Sequence, residues 1–248
     1  MRGVAVHPPG TGRRAPGPPG PPKPVAPPSA VRQTPGMIVV HPVVELHFRG
    51  GFSLWPVGEP TTFDFLRLHG GMSPVDIGTA VMLIVACNDV EGLFPGKGPP
   101  RPAEPLDGFL HPLFTTDELF VAGGMRITDT TTGVALLPGC CSDLNEWRDW
   151  LDYLDGHSLR LDLGHDPFPL VEVSGGTVRL TPDQEQRDSP VIETSAAGLR
   201  RLVAGAEEDL TGFLRSAGAW AEQHLPGRSA RLTAALGRAL DVVPPQAS

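Results

Sequence analysis

Residues 136–181 constrain the fold of this chain more than any other stretch. They read LLPGCCSDLNEWRDWLDYLDGHSLRLDLGHDPFPLVEVSGGTVRLT, in which a vicinal cysteine pair precedes a helix-like segment, a Gly-His-Asp-Pro turn and two short apolar segments around Gly175-Gly176. A glycine pair between two strand-like segments is typical of a tight β-hairpin. The stretch therefore predicts a globular unit that combines helices with antiparallel strands.

Helical spacing of apolar residues marks further elements. A helix is predicted over residues 143–155, because Asp143 and Glu146 are spaced as in a capping box and four apolar residues fall on one face: Leu144, Trp147, Leu151 and Leu154. From residue 194 onward the 3.6-residue spacing returns. The glycines in this segment disfavour a single long helix, so two helices with a break near Gly205 are predicted. A short helix is also predicted over residues 229–240.

The remaining patterns predict mostly strands. Residues 37–48 are apolar and β-branched, but Pro42 restricts them to a sheet edge or divides them into two short strands. Residues 79–87 predict a buried strand, and residues 125–137 predict two strands around a Thr132-Gly133 turn. A short helix is predicted between Thr115 and Ala122 from its capping residues.

Composition divides the chain into four segments. Residues 1–36 hold eleven prolines and five basic residues but no acidic residue, a composition that predicts disorder because it buries too little apolar surface. We predict a small β-rich region at residues 37–93, a linker or loop rich in proline and glycine at residues 94–105, and a main domain at residues 106–242. The predicted fold class is α+β, with short antiparallel strands and with helices concentrated in the C-terminal third.

Charge excludes one class of partner. From residue 37 onward the chain carries all 28 acidic residues against 15 of the 20 basic ones, a formal net charge of −13. Nucleic-acid binding requires lysine and arginine to neutralise phosphates, so we expect no nucleic acid partner. An acidic surface favours a basic protein partner.

Three features predict the location of the protein. Residues 1–36 lack the apolar core of a secretory signal, and the longest apolar run, residues 77–87, is about half the ~20 residues that span a bilayer. The three cysteines are too few for a disulfide framework. We therefore expect a cytoplasmic protein without a membrane anchor.

The vicinal pair Cys140-Cys141 is the first candidate for chemistry. With Cys87, His157 or His165, it offers ligands for a soft metal. Zinc sites usually draw ligands from pairs spaced as C-x2-C or H-x3-H, and the chain contains neither spacing. The sequence therefore predicts no metal and no cofactor. Two interpretations of the pair do not involve a metal. In one, a cysteine packs inward as a small hydrophobe; in the other, a thiolate at the helix N-terminus is reactive.

Catalytic motifs are absent from the sequence. It contains no G-x-S-x-G, phosphate-binding or dinucleotide-binding motif. Cys141 and His165 are the one nucleophile and base that we can pair. Asp166 follows His165, but neighbouring residues seldom bond to each other, and Asp-Pro commonly starts a turn. We predict no catalytic residue, with Cys141 and His165 as the candidates if the protein is an enzyme.

The acidic side of the helix at residues 143–155 is a candidate binding surface. Asp149 and Asp152 lie away from its apolar face, which includes Trp147. Trp150 lies about 60° from Trp147 by helical geometry, so it either widens the core face or is a partly exposed interface anchor. We predict that Asp149, Asp152 and Trp150 bind a basic protein partner; a merely solvated face is the alternative.

Residues 136–215 resemble the SMI1/KNR4-type domains found among bacterial toxin-immunity proteins. The resemblance rests on the acidic αβ character, on LGHDPFPLVEVSGGTVRL, and on IETSAAGLRRLV, where Ser195, Leu199 and Leu202 match the family's S-x-x-x-L-x-x-L helix. It implies a partner-binding protein and no catalytic residue.

These observations predict a non-enzymatic cytoplasmic protein that binds a protein partner through an acidic surface, in an immunity or regulatory role. The alternative is a small enzyme or metal-binding protein that uses Cys140, Cys141 and His165.

Overall fold

A computed structural model describes residues 37–46, 51–59, 64–89 and 99–242. The predicted disorder of residues 1–36 and residues 94–98 of the predicted linker lie outside the described residues. Within the described ones, five α-helices and two antiparallel sheets confirm the α+β class.

The elements alternate along the chain. The strands are β1 (Ile38–Glu45), β2 (Phe65–Arg67), β3 (Gly123–Asp129), β4 (Ala135–Leu136), β5 (Leu170–Ser174), β6 (Thr177–Thr181) and β7 (Ile192–Ser195). The helices are α1 (Pro74–Ala86), α2 (Pro105–Thr115), α3 (Asp149–Leu154), α4 (Ala196–His224) and α5 (Ser229–Ala239), and a 3-10 helix covers Leu144–Arg148.

The first sheet has the order β2-β1-β3-β4. The prediction that Pro42 restricts its strand to a sheet edge, or divides it, is wrong, because β1 is continuous and lies between β2 and β3. The pairing with β2 covers only Val43 to Glu45, so Pro42 lies just beyond its end. The Pro42 carbonyl accepts a hydrogen bond from the Leu68 N–H at 2.9 Å, and the missing proline N–H costs no bond to β2.

The strand predicted at residues 79–87 is helical instead. Helix α1 starts at Pro74, and the Ser73 hydroxyl accepts a hydrogen bond from the Asp76 N–H. Every residue from Ile77 to Val85 is buried. A helix that is covered on all sides has no polar face, so its sequence lacks the 3.6-residue alternation that distinguishes a helix from a buried strand.

The prediction of a short helix over residues 115–122 is wrong. Helix α2 lies just before this stretch instead. Glu104 caps α2 by accepting from the Asp107 N–H, and Pro105 occupies its first turn. The helix ends at Thr115, where the predicted one was to begin. The two strands predicted in residues 125–137 are confirmed as β3 and β4.

The segment predicted as one helix over residues 143–155 is a 3-10 helix followed by α3, and Glu146 departs from helical dihedral angles. Asp143 does cap the segment, since its carboxylate accepts from the N–H groups of Asn145 and Val121, both at 2.9 Å. The second bond ties the segment to the chain before β3.

The second sheet, β5-β6-β7, confirms the predicted glycine hairpin. Gly175 and Gly176 have φ values of 57° and 81°, as a two-residue turn with both φ angles positive requires.

The predicted break near Gly205 is wrong, because α4 runs unbroken for 29 residues. Ten buried residues of α4, among them Leu210 and Phe213, outweigh the cost of its glycines. The predicted last helix is confirmed as α5.

One hydrophobic core joins these elements. Helix α4 contacts β1 of the first sheet, β6 and β7 of the second, and the helices α1, α3 and α5. Strand β1 pairs with β3, so the predicted region 37–93 and the predicted domain 106–242 contribute to the same sheet and the same core. None of the described helices is both long enough and apolar enough to cross a membrane.

We predict that the Gly78→Ala substitution destabilises the protein, although alanine is the better helix former. A β-carbon at residue 78 would lie 2.6 Å from the Pro56 carbonyl oxygen and 2.9 Å from the Trp55 ring. We expect the free energy of unfolding to fall by roughly 1–3 kcal/mol, as in overpacked cores. Urea denaturation measures it.

The matched control is Gly205→Ala, in α4, where no atom other than those of the adjacent residues and the helix's own backbone lies within 4 Å of the new methyl group. This change should raise the free energy of unfolding by about 0.5–1 kcal/mol. Equal effects of the two substitutions would contradict the packing of α1 described above.

Candidate functional site

Two loops come together beside the sheets. One follows β4 and contains Cys140 and Cys141, and the other precedes β5 and contains His165. Cys140 and His165 pair as in an antiparallel bridge: the Cys140 N–H donates to the His165 carbonyl at 2.5 Å, and the His165 N–H donates to the Cys140 carbonyl at 3.1 Å. A third backbone bond joins the Gly139 N–H to the Leu163 carbonyl at 2.8 Å. Backbone bonds therefore fix the separation of the two loops.

Glycine makes this close approach feasible. Gly139 directly precedes Cys140, and Gly164 directly precedes His165. A β-carbon at Gly164 would overlap the Cys140 carbonyl oxygen, and one at Gly139 would lie 2.5 Å from the His165 nitrogen. Any larger residue at either position would push the loops apart.

The bridged loops bring together three side chains of types that can bind a metal ion. The Sγ atoms of Cys140 and Cys141 lie 3.5 Å apart, and these atoms and a ring nitrogen of His165 all lie within 4.8 Å of one another. All three residues are exposed. The interpretation in which one cysteine packs inward is therefore wrong, and the residue that follows them, Ser142, is buried instead.

The backbone at this site adopts unfavourable conformations. Cys141 has a φ of 67° and Asp166 a φ of 52°, and they are two of the three non-glycine residues with positive φ in the described part of the chain. A left-handed conformation costs an ordinary residue roughly 1–2 kcal/mol. Strain of this kind persists where the surrounding structure imposes it, and it often accompanies function.

His165 is oriented by its neighbour. Its Nδ1 atom lies 3.1 Å from a carboxylate oxygen of Asp166, so the expectation that these adjacent residues would not bond is wrong. A protonated Nδ1 that donates to Asp166 leaves the lone pair of Nε2 for a metal ion or a proton.

The two thiols interact electrostatically. The pKa of Cys140 is raised above its ordinary value, mainly because the thiol hydrogen-bonds to the Cys141 sulfur, then through partial desolvation and through repulsion from Cys141, Glu45 and Asp166. The carboxylates that disfavour the thiolate attract a cation. Metal binding here must displace thiol protons.

Other ligands suggested by the sequence lie elsewhere. Cys87 is not part of the group: burial raises its pKa to about 11, and its thiol lies 3.0 Å from the Phe120 carbonyl oxygen. His157 lies 3.8 Å from the Asp152 carboxylate instead. Of the residues that the structure describes, Cys140, Cys141 and His165 form the one group of this kind.

The acidic surface is only partly as expected. Trp150 is 3 % exposed, so the interpretation of it as an interface anchor is wrong: the residue widens the core face, beside Trp147, whose predicted burial is confirmed. Asp149 and Asp152 are exposed. The pKa of Asp149 is raised by partial burial and by repulsion from Asp152. Their binding of a basic partner stays a prediction.

Searches against protein-family models, curated proteins and solved structures find no match to this chain. The resemblance of residues 136–215 to SMI1/KNR4-type domains therefore stays a prediction. Of the residues that carry it, Ser195 caps α4 by accepting from the Gly198 N–H, and Leu199 is buried, whereas Leu202 is 37 % exposed.

We predict that Gly164→Ala opens the site. The methyl group would collide with the Cys140 carbonyl, so the two bonds between Cys140 and His165 should break. Hydrogen exchange of their backbone amides should accelerate at least tenfold, because the pairing would be open in most molecules. Exchange followed by mass spectrometry or NMR measures this effect.

Gly133→Ala is the matched control. Gly133 has a φ of 75°, against 74° for Gly164, but a β-carbon added at Gly133 would have no atom within 4 Å apart from those of Gly133 and its adjacent residues. It should cost only the left-handed conformation, roughly 1–2 kcal/mol, and leave exchange at Cys140 and His165 unchanged. Unchanged exchange in both variants would contradict the loop bridge.

Proposed function

We propose that the protein binds one thiophilic transition-metal ion, Zn(II) or Cu(I), through Cys140, Cys141 and His165. The observation that carries this proposal is the convergence of two sulfur atoms and an imidazole nitrogen within 4.8 Å. Thiolate and imidazole are the ligands that these two ions prefer.

The dimensions of the site support the proposal. Zinc–sulfur bonds of about 2.3 Å at tetrahedral angles place two sulfurs roughly 3.8 Å apart. The Sγ atoms of Cys140 and Cys141 are 3.5 Å apart, so side-chain rotations that move them by a few tenths of an ångström suffice. The backbone bridge holds His165 beside them, which lowers the entropy cost of assembling the ligands.

Outer residues support metal binding as well. Asp166 accepts from Nδ1 of His165, the arrangement in which a carboxylate orients a metal-binding imidazole and raises its basicity. The negative charges of Glu45 and Asp166 act on Cys140 and would also stabilise a bound cation.

The hydrogen bond with Cys141 and the repulsion between the two sulfurs raise the pKa of Cys140, so the two thiols need a positive charge nearby before both lose their protons. A metal ion supplies the positive charge that removes both protons. With three exposed protein ligands, a fourth position would be open to water or to a ligand from another molecule.

We predict 1:1 binding of Zn(II) that depends on all three side chains. Cys140→Ser, Cys141→Ser and His165→Ala should each lower the affinity by roughly 100-fold or more, since even loss of an outer-shell partner costs 10–100-fold. Asp166→Asn should cost about tenfold. Competition with a chromogenic chelator under reducing conditions measures these affinities, and the same series is run with Cu(I).

Cys87→Ser and His157→Ala are the matched controls, because each removes the same functional group outside the site. Both should bind Zn(II) like the original protein. Equal losses in the control and site variants, or no binding by the original protein to either ion, would overturn the proposal.

A second candidate function is recognition of a basic protein through Asp149 and Asp152. It is favoured by the crowding of acids there: the pKa of Glu146 is raised by partial burial and then by repulsion from Asp143, Asp149 and Asp162. Such a group of carboxylates is relieved by an approaching cation.

We predict that reversing both charges, Asp149→Lys with Asp152→Lys, abolishes capture of a basic partner without unfolding the protein. Both side chains are exposed, so the thermal midpoint should change little. Affinity purification from the protein's host, with Asp188→Lys as the exposed control, measures capture. A partner that is retained by the double variant would contradict this candidate.

A further inference from the structure

We infer that Cys140 and Cys141 form a reversible intramolecular disulfide with peroxide, and that this reaction releases the metal ion. The disulfide is an independent property of the two thiols. The release step rests on the proposed function, because it requires that the same sulfurs bind the metal.

Geometry favours reaction between these two sulfurs over any other pair of cysteines. Their Sγ atoms are 3.5 Å apart and both residues are exposed. A disulfide requires about 2.05 Å, so the sulfurs must approach by roughly 1.5 Å, and the eight-membered ring that then closes strains the peptide between the two residues. Cys87 does not compete, because its thiol is mostly buried and bonded to backbone carbonyls.

The reaction balances with hydrogen peroxide as the two-electron oxidant. One thiolate attacks a peroxide oxygen, the O–O bond breaks, and a sulfenic acid and hydroxide form. The second thiolate attacks the sulfenic sulfur, the S–S bond forms, and the S–O bond breaks as a second hydroxide leaves. The hydroxides take up the two protons that the thiols lost, so two thiols and one peroxide give one disulfide and two water molecules.

The consequence for the metal follows from the ligand set. Thiolates bind Zn(II) and Cu(I), whereas a neutral disulfide is a poor ligand. Oxidation removes both sulfur ligands at once and leaves His165 as the one member of the group. A single imidazole does not retain the ion against a competing chelator, so oxidation and metal release are coupled.

The disulfide should be easily reduced. Consecutive Cα atoms lie about 3.8 Å apart, whereas most disulfides join Cα atoms 4.4–6.8 Å apart, and departures from that range store strain. Strained, exposed disulfides have more oxidising potentials and act as labile or regulatory bonds. A monothiol such as glutathione should therefore restore both thiols and metal binding.

The experiment uses the full chain, first without metal. Equimolar hydrogen peroxide should remove two hydrogen atoms from the intact mass, and peptide mapping should locate the bond between Cys140 and Cys141. Cys87→Ser should behave alike, and Cys140→Ser should form no intramolecular bond. Zn(II)-loaded protein should then release its metal to a chromogenic indicator as the disulfide forms, and glutathione should reverse both changes.

Several outcomes overturn the inference. Addition of oxygen atoms without a disulfide, or disulfides between molecules, would show that the vicinal pair does not close. Disulfide formation with Zn(II) retained would overturn the release step. Zn(II) binding with no disulfide would overturn this inference alone, whereas disulfide formation in a protein that never binds Zn(II) or Cu(I) would overturn the proposed function and with it the release step.

Discussion

The buried face of helix α4 is the surface on which the rest of the structure is assembled. It contacts β1 of the first sheet, β6 and β7 of the second, and three further helices. Each large apolar residue on this face, such as Leu210 or Phe213, contributes about 1.5–3 kcal/mol through burial. Because both sheets pack against one helix, the loop that leaves β4 and the loop that enters β5 lie close enough to form backbone hydrogen bonds with each other.

The candidate site is this junction between the two loops. Cys140 and Cys141 belong to the connection from the first sheet, and His165 to the connection into the second. Backbone bonds and the small size of Gly139 and Gly164 set the separation, so these three side chains are positioned by main-chain packing and not by their own interactions. The group therefore stays assembled while its side chains are exposed, as the proposed metal binding requires.

The sequence predicted the elements whose signal is local. The Gly175-Gly176 hairpin, the strands β3 and β4 and helix α5 follow from turn residues and periodicity. Helix α1 was missed because burial on all sides removes the alternation, and the continuity of α4 was missed because tertiary packing overrides the helix-breaking tendency of Gly205. Strand β1 can lie inside the sheet because its pairing with β2 ends before Pro42. The residues around Pro42 give no indication of where that pairing ends.

The residues of the site were visible in the sequence, but their convergence was not. Cys140 and His165 are separated by a helix and a long irregular segment, and no ligand-pair spacing joins them. One available signal was that glycine directly precedes both Cys140 and His165, since a glycine allows two backbone segments to approach closely. The burial of Trp150 was undecided, because helical geometry placed it at the border of the apolar face.

X-ray absorption spectroscopy of the Zn(II)-loaded protein is the most direct test of metal binding by Cys140 and Cys141, because it reports the ligands themselves. We predict two sulfur ligands at about 2.3 Å, with the remaining nitrogen or oxygen ligands at about 2.0–2.1 Å. In Cys87→Ser protein the spectrum should be unchanged. A zinc shell made of oxygen and nitrogen alone would contradict the assignment of Cys140 and Cys141 as ligands.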